Sequence, residues 1–150
     1  MVDSASSLLT RVLAPTAIDA AVLEAVVLSC CADGVVESEI RAVHDMARQL
    51  PSFASMDDAA LKEQVEGAFE RIAREGLEKR LLAVTAAASD DETRRKMFLA
   101  AAIVQYADGE VTNEENEFLL DLADALGLSE KIVRGIVEEI ERELGIKSTR

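Results

Sequence analysis

The chain is short of the residues that build strands, metal cages and reactive centres. It has no tryptophan, one tyrosine, one histidine, two cysteines and two prolines, and aromatics make up only 3% of its 150 residues. The few β-branched runs and the long Ala/Leu/Glu/Arg stretches exclude a sheet protein and predict an all-α fold, since Ala and Leu are strong helix formers. Two neighbouring cysteines, Cys30 and Cys31, do not face each other on a helix, which argues against a disulfide between them. With no third cysteine to complete a thiolate site, they read as packing residues. His44, on a helix, reads as a core-edge or surface residue; no Ser or Cys nucleophile signature accompanies it. There is no zinc spacing, phosphate-binding glycine loop or dinucleotide fingerprint.

Positive charge is also scarce. Sixteen Lys and Arg stand against 29 Asp and Glu, for a net charge of −13 and a pI near 4.5. That balance argues against nucleic acid and against anionic membrane surfaces, both of which call for basic clusters. No apolar run reaches the length of a membrane span. The first residues hold no basic region followed by a long apolar core, so no signal peptide is read and the cytoplasm is the expected location.

What the chain does have is helical periodicity broken by short loops, as expected of one domain over residues 1–150. A peripheral helix is expected near Ser4–Leu13, and Pro15 interrupts it. Thr16 and Asp19 fit a capping box for a helix to about Ala32. The next helix is expected to reach about Leu50, with Ile40, Val43, Met46, Ala47 and Leu50 inward. After the loop Pro51–Ser55, Ser55 and Asp58 offer a cap for a helix over Asp57–Arg74, stopped by Gly76. Leu77–Ala88 is helical again. Ser89 with Glu92, Thr112 with Glu115, and Ser129 open the last three helices, ending near Ala107, Gly127 and Leu144, before a polar tail. The total is seven to eight helices, with Tyr106 expected to be a buried aromatic.

Within this pattern Ala-Asp-Gly occurs twice, 75 residues apart, as Ala32-Asp33-Gly34 and Ala107-Asp108-Gly109. Each copy ends an apolar run. A Val follows two residues after the Gly (Val36, Val111) and a Glu six after the Asp (Glu39, Glu114). The chain is thus organised as two pseudo-repeated helix–loop–helix units with carboxylates at their elbows. One reading is structural: the glycines supply left-handed backbone and the aspartates bond loop amides. The other is a ligand site at Asp33, Glu39, Asp108 and Glu114. A complete calcium loop is excluded. In an EF-hand register the first two ligand positions would be Val104 and Tyr106 in the second copy, and the last would be Ile40 in the first.

From Phe98 to Ser129 there is no Lys or Arg. On a helix, Glu114, Glu117, Asp121 and Asp124 fall within an arc of about 80°, beside an apolar stripe of Phe118, Leu119, Leu122 and Leu126. Like charges at i,i+4 cost roughly 0.2–0.5 kcal/mol per pair. The helix dipole offsets part of this at Glu114 and Glu115 but not at Asp121 or Asp124. The stripe is either a solvated face or a surface awaiting a cation, whether a metal ion or a basic partner.

Ala32-Asp33-Gly34-Val35-Val36-Glu37-Ser38-Glu39 and Ala107-Asp108-Gly109-Glu110-Val111-Thr112-Asn113-Glu114-Glu115, with Leu122-Ala123-Asp124-Ala125-Leu126-Gly127-Leu128 downstream, resemble the TerB-like tellurite-resistance family. The resemblance runs over roughly residues 20–132, with a poorly matched middle. It implies a helical fold with pseudo-twofold internal symmetry, a role in stress response, and an acidic surface that binds a cation or a basic partner. Carried over by position, Asp33, Glu39, Asp108 and Glu114 are the candidate acids, with Glu37 and Glu115 as weaker members; Ile40, standing where the second copy has Glu115, makes the halves unequal. Direct tellurite binding is not expected, because an oxyanion is repelled by a −13 chain, and no basic group near Cys30 and Cys31 activates them for reduction. The expectation is a non-enzymatic module that binds calcium or magnesium through hard oxygen ligands, or else a metal-independent module that docks a basic protein. Paired-carboxylate catalysis would require a cleft beside the acids.

Overall fold

A helix that is apolar on every face has nowhere to lie but the interior. Ala17–Cys31 (α1) is such a helix, and every residue from Ala21 to Cys30 is buried. The computed structural model describes residues 16–31, 37–106 and 113–145, without the side chains of residues 37–39 and 115. Around α1 stand Glu37–Ala47 (α2), Asp58–Glu75 (α3), Leu77–Ala86 (α4), Asp91–Tyr106 (α5), Asn113–Ala125 (α6) and Glu130–Leu144 (α7). The fold is all-α, with no strand among the described residues. The expected helix Ser4–Leu13, the Thr112 cap and the tail beyond Gly145 lie outside them. Among the described residues no helix is long and apolar enough to cross a membrane.

The most extensive packing is between α1 and α5, the first helices of the two sequence repeats. They end at Cys31 and Tyr106, the same 75 residues apart as the Ala-Asp-Gly copies. Both bury small residues: Ala21 and Ala25 on α1, and Ala100, Ala101 and Ala102 on α5. Alanine lets two helix backbones approach closely, which is how a chain with few aromatics still fills its core. Phe53, Phe98, Met97, Leu28, Leu61 and Leu122 supply the bulk.

Three polar residues interrupt α1 at intervals of five: Asp19, Glu24 and Ser29. Five helical residues turn through about 140° beyond a full circle, so each points toward a different neighbour. All three are buried. Asp19 accepts from the Ser52 amide (2.9 Å) and lies 3.9 Å from Lys96 of α5. Ser29 accepts from the Gln105 amide of α5 (2.8 Å) and donates to the Val26 carbonyl. Glu24 is clamped by two arginines. Nη2 of Arg80 and Nε of Arg71 both reach its Oε1 at 2.9 Å, and Nε of Arg80 takes Oε2. The fork of Arg80 thus grips the carboxylate bidentately, the strongest form of such a pair. That hydrogen bonding, chiefly to Glu24 with Glu75 adding to it, raises the Arg80 pKa above its ordinary value. Gly76, the one residue between α3 and α4, turns the chain with φ 94°, a conformation that favours glycine. Arg71 precedes this turn and Arg80 follows it, and both meet the same carboxylate.

Several boundaries differ from the sequence expectation. The Thr16 hydroxyl accepts from the Asp19 amide, as a cap should, but the Asp19 carboxylate does not close the box. It turns inward to the Ser52 amide instead, while the Thr16 amide donates to the Ser52 hydroxyl. The caps of α3 and α5 are Asp57 and Asp90, not Ser55 and Ser89: Asp57 accepts from the Ala60 amide and Asp90 from the Thr93 amide, each at 2.7 Å. Ser129 caps α7 as expected. The second helix ends at Ala47 rather than Leu50, and Ile40 is 37% exposed because the buried stripe begins at Val43. Tyr106 is half-buried rather than buried.

The Glu24 clamp should dominate stability. Glu24→Gln leaves two guanidinium groups against a neutral amide and is expected to cost about 3 kcal/mol in urea unfolding, the low end for a broken buried pair because Arg71 partly reaches solvent. Asp90 gives a pH signature. Hydrogen bonds from Thr93, from its backbone amide first, hold its carboxyl below the ordinary 3.8, with Arg94 adding attraction. A lowered folded value means stabilisation that is fully present above 3.8 and lost as pH falls through the folded value. Wild type should therefore melt above Asp90→Asn at neutral pH. The two melting temperatures should converge only at the acid end of a titration followed by circular dichroism.

Candidate functional site

The helix α6 displays its two stripes as the spacing predicts. Phe118, Leu119, Leu122 and Ala123 are buried, whereas Glu114, Glu117, Asp121 and Asp124 are exposed. The structure adds the surface facing that acidic stripe, which is α4. Leu77, Leu81 and Leu82 of α4, with Phe118 of α6, form the apolar floor of an open groove of about 630 Å³. Glu78 joins the four α6 carboxylates along its sides, and no Lys or Arg is among the lining residues. Leu82 is 62% exposed and Leu77 42%, two of the few large apolar residues that face solvent among the described residues.

The location of α4 follows from the core. Arg80 projects from α4 into the Glu24 clamp, and Val84 and Thr85 are buried behind it. With that face committed inward, Glu78 and Leu82 are left outward, and α4 lies against α6. Near the far end of α6, Asp124 and Ala125 also line a shallower depression with Thr85, Ser89, Arg94 and Gly127. Gly127 (φ 70°) ends that helix, with its own amide on the Asp124 carbonyl and the Leu128 amide on the Ala123 carbonyl, both at 3.0 Å. This is a left-handed stop that only glycine or asparagine readily allows.

Of the acids expected at the elbows, Asp33 and Asp108 lie outside the described residues. Glu37 and Glu39 stand in the first turn of α2 and Glu115 in that of α6, all three with side chains outside the description. Glu114 is exposed in the first turn of α6 and lines the groove. Among the described residues no three His, Cys, Asp or Glu side chains gather as a metal site. The helices that lead into the two elbows are joined just before their ends, where the Gln105 amide of α5 donates to Ser29 of α1 and lies 3.9 Å from the Cys30 sulfur. Gln105 is 1% exposed, and its Oε1 has no hydrogen-bond partner among the described residues.

Sequence reasoning found the acidic stripe but missed the apolar floor that makes a groove of it. A usable signal was present in Leu77, Leu81 and Leu82, more apolar residues than the one narrow face of a ten-residue helix needs. It missed Glu24 and Gln105 as well, although a lone carboxylate inside the run Ala20–Cys31 must find a cation when buried.

No curated protein and no solved structure matches the chain. The family model described as tellurite resistance protein TerB matches residues 18–137. That span runs from the first turn of α1 into α7 and takes in the Glu24 clamp, both elbows and the whole groove. The chain belongs to the TerB family.

Proposed function

We propose that this protein is a non-enzymatic TerB-family module of the stress response that docks a positively charged protein partner in the groove between α4 and α6. The observation that carries this reading is the set of five exposed carboxylates around an apolar floor with no cation among the lining residues. Such a face attracts and orients a basic surface by long-range Coulomb steering. It repels the tellurite oxyanion for the same reason, so the family's link to tellurite resistance is read as indirect. Acid–base catalysis is disfavoured because it needs one carboxylate withdrawn from water to hold a proton at neutral pH. All five groove acids are exposed.

A second reading places calcium or magnesium at Asp33, Glu39, Asp108 and Glu114, with Glu37 and Glu115 nearby in sequence. The junction of Ser29 with Gln105 favours it, since it ties together the two helices that lead into the elbows. Calorimetric titration of either ion into metal-stripped protein should then give saturable binding that Asp108→Asn with Glu114→Gln abolishes.

The docking reading makes a different prediction. Glu117→Gln, Asp121→Asn and Asp124→Asn together remove i,i+3 and i,i+4 repulsions and should raise stability by about 0.5 kcal/mol. The same triple variant should weaken binding of a short oligolysine in EDTA by roughly tenfold, at about 0.2–1 kcal/mol for each exposed pair. Wild-type binding should fall as salt screens the rim. Stability and binding moving in opposite directions would mark the acids as kept for a partner. Oligolysine binding that is absent, or equal in both proteins, would sink the reading.

A further inference from the structure

A cationic partner needs only the carboxylates; it does not need the leucines. On an acidic protein, a solvated face would gain nothing from an exposed Leu82 and a half-exposed Leu77 set among five acids. The two features together ask for an occupant with an apolar side and positive flanks. Their layout adds a shape. Glu114, Glu117, Asp121 and Asp124 recur at intervals of three and four residues over ten positions, so the ladder has about one rung per turn and rises about 15 Å. Leu77 and Leu81, one turn apart on α4, repeat at the same interval. A groove between two helices with this period accepts the side-chain ridge of a third helix. An extended peptide fits less well: no strand is present among the described residues to pair with it, and its amides would be desolvated against leucine without partners.

Resting on the docking role proposed above, we infer that the occupant is an amphipathic helix of about three turns, with apolar residues at three- and four-residue spacing and Lys or Arg on both flanks. Its apolar stripe covers Leu77, Leu81, Leu82 and Phe118. Its cations meet Glu78 on the α4 side and the four-carboxylate ladder on the α6 side, rung for rung. An anionic membrane surface is excluded as the occupant by the sign of the rim. A metal ion would leave the leucines uncovered.

The test uses the full chain and three peptides of about 14 residues, about the length of α6. The first is built of Leu and Lys with Leu at helical spacing. The second has the same composition scrambled to remove the apolar face. The third keeps the Leu pattern with Gln in place of Lys. Binding is followed by fluorescence anisotropy at physiological salt, and peptide helicity by circular dichroism. The patterned cationic peptide should bind about tenfold or more tighter than either control, a gap that separates recognition from general attraction, and should become helical on binding. Leu82→Ser, at a position too exposed to threaten folding, should reduce its affinity to that of the scrambled peptide while leaving the scrambled peptide unaffected. Equal binding of patterned and scrambled peptides would overturn the helix inference and leave electrostatic docking standing. Binding of the Gln peptide as tightly as the Lys peptide would overturn it in favour of an uncharged apolar partner. Concentration-dependent dimerisation abolished by Leu82→Ser would overturn it in favour of a second copy. No binding by either cationic peptide would remove both this inference and the docking role beneath it.

Discussion

Glu24 is a charge that the core cannot hold alone. A carboxylate taken from water into a helix bundle costs several kcal/mol unless cations meet it with good geometry. Here Arg71 of α3 and Arg80 of α4 meet it from one side of α1. Because the penalty is avoided only when both helices are in place, the clamp couples three elements that are otherwise held by non-directional apolar contact. Hydrophobic burial would tolerate α4 sliding along α1 by part of a turn; a bidentate guanidinium on a buried carboxylate would not. Asp19 and Ser29 act in the same manner at the two ends of α1, one on the Ser52 amide and Lys96, the other on Gln105. A uniformly apolar helix has no preferred rotation about its own axis, and these three polar residues supply one.

The surface follows from that constraint. Two of the sixteen basic residues are committed to Glu24. The rotation imposed on α4 by Arg80 points Leu82 and Glu78 outward beside α6. The groove is therefore a consequence of the core: the same helix that closes the clamp with one face contributes most of the groove's apolar lining with another. A change at Arg80 would reach the groove without touching it.

The fold class was legible because its signals are local. Alanine content, three-to-four periodicity and capping residues each report on a single helix, and the repeated Ala-Asp-Gly marks where two of them end. Cap identity was legible only in part. In Ser89-Asp90-Asp91-Glu92 three consecutive residues are competent caps, and the choice of Asp90 rests on which side chain reaches the Thr93 amide, a matter of the incoming backbone and not of residue type. The acidic stripe was legible because it belongs to one helix. Its apolar complement was not, because Leu77, Leu81 and Leu82 lie more than 30 positions earlier and become part of the site only when packing sets α4 beside α6. The partners of Glu24 were hidden for the same reason, although the need for them could be read from its place in an apolar run.

Charge placement separates a surface that is merely acidic from one that is acidic toward something. A chain with 29 acidic residues can keep itself soluble with them dispersed and partly paired, and on other helices some are paired: Lys62 lies by Glu66, Lys79 by Glu75, Arg94 by Asp91, and Arg134 by Glu130. These pairs contribute little each, yet they show the ordinary pattern of an exposed helix. On α6 no basic residue is available for such a pair. Four carboxylates stand one per turn with no Lys or Arg on the whole helix, and at this spacing like charges repel one another. A single lysine at Asn116 or Leu120 would relieve that repulsion at no cost to the core, since both positions are exposed. The arrangement lowers stability slightly and does so beside the most exposed leucine among the described residues. Two unfavourable features on facing helices cancel together only when something both apolar and cationic lies between them.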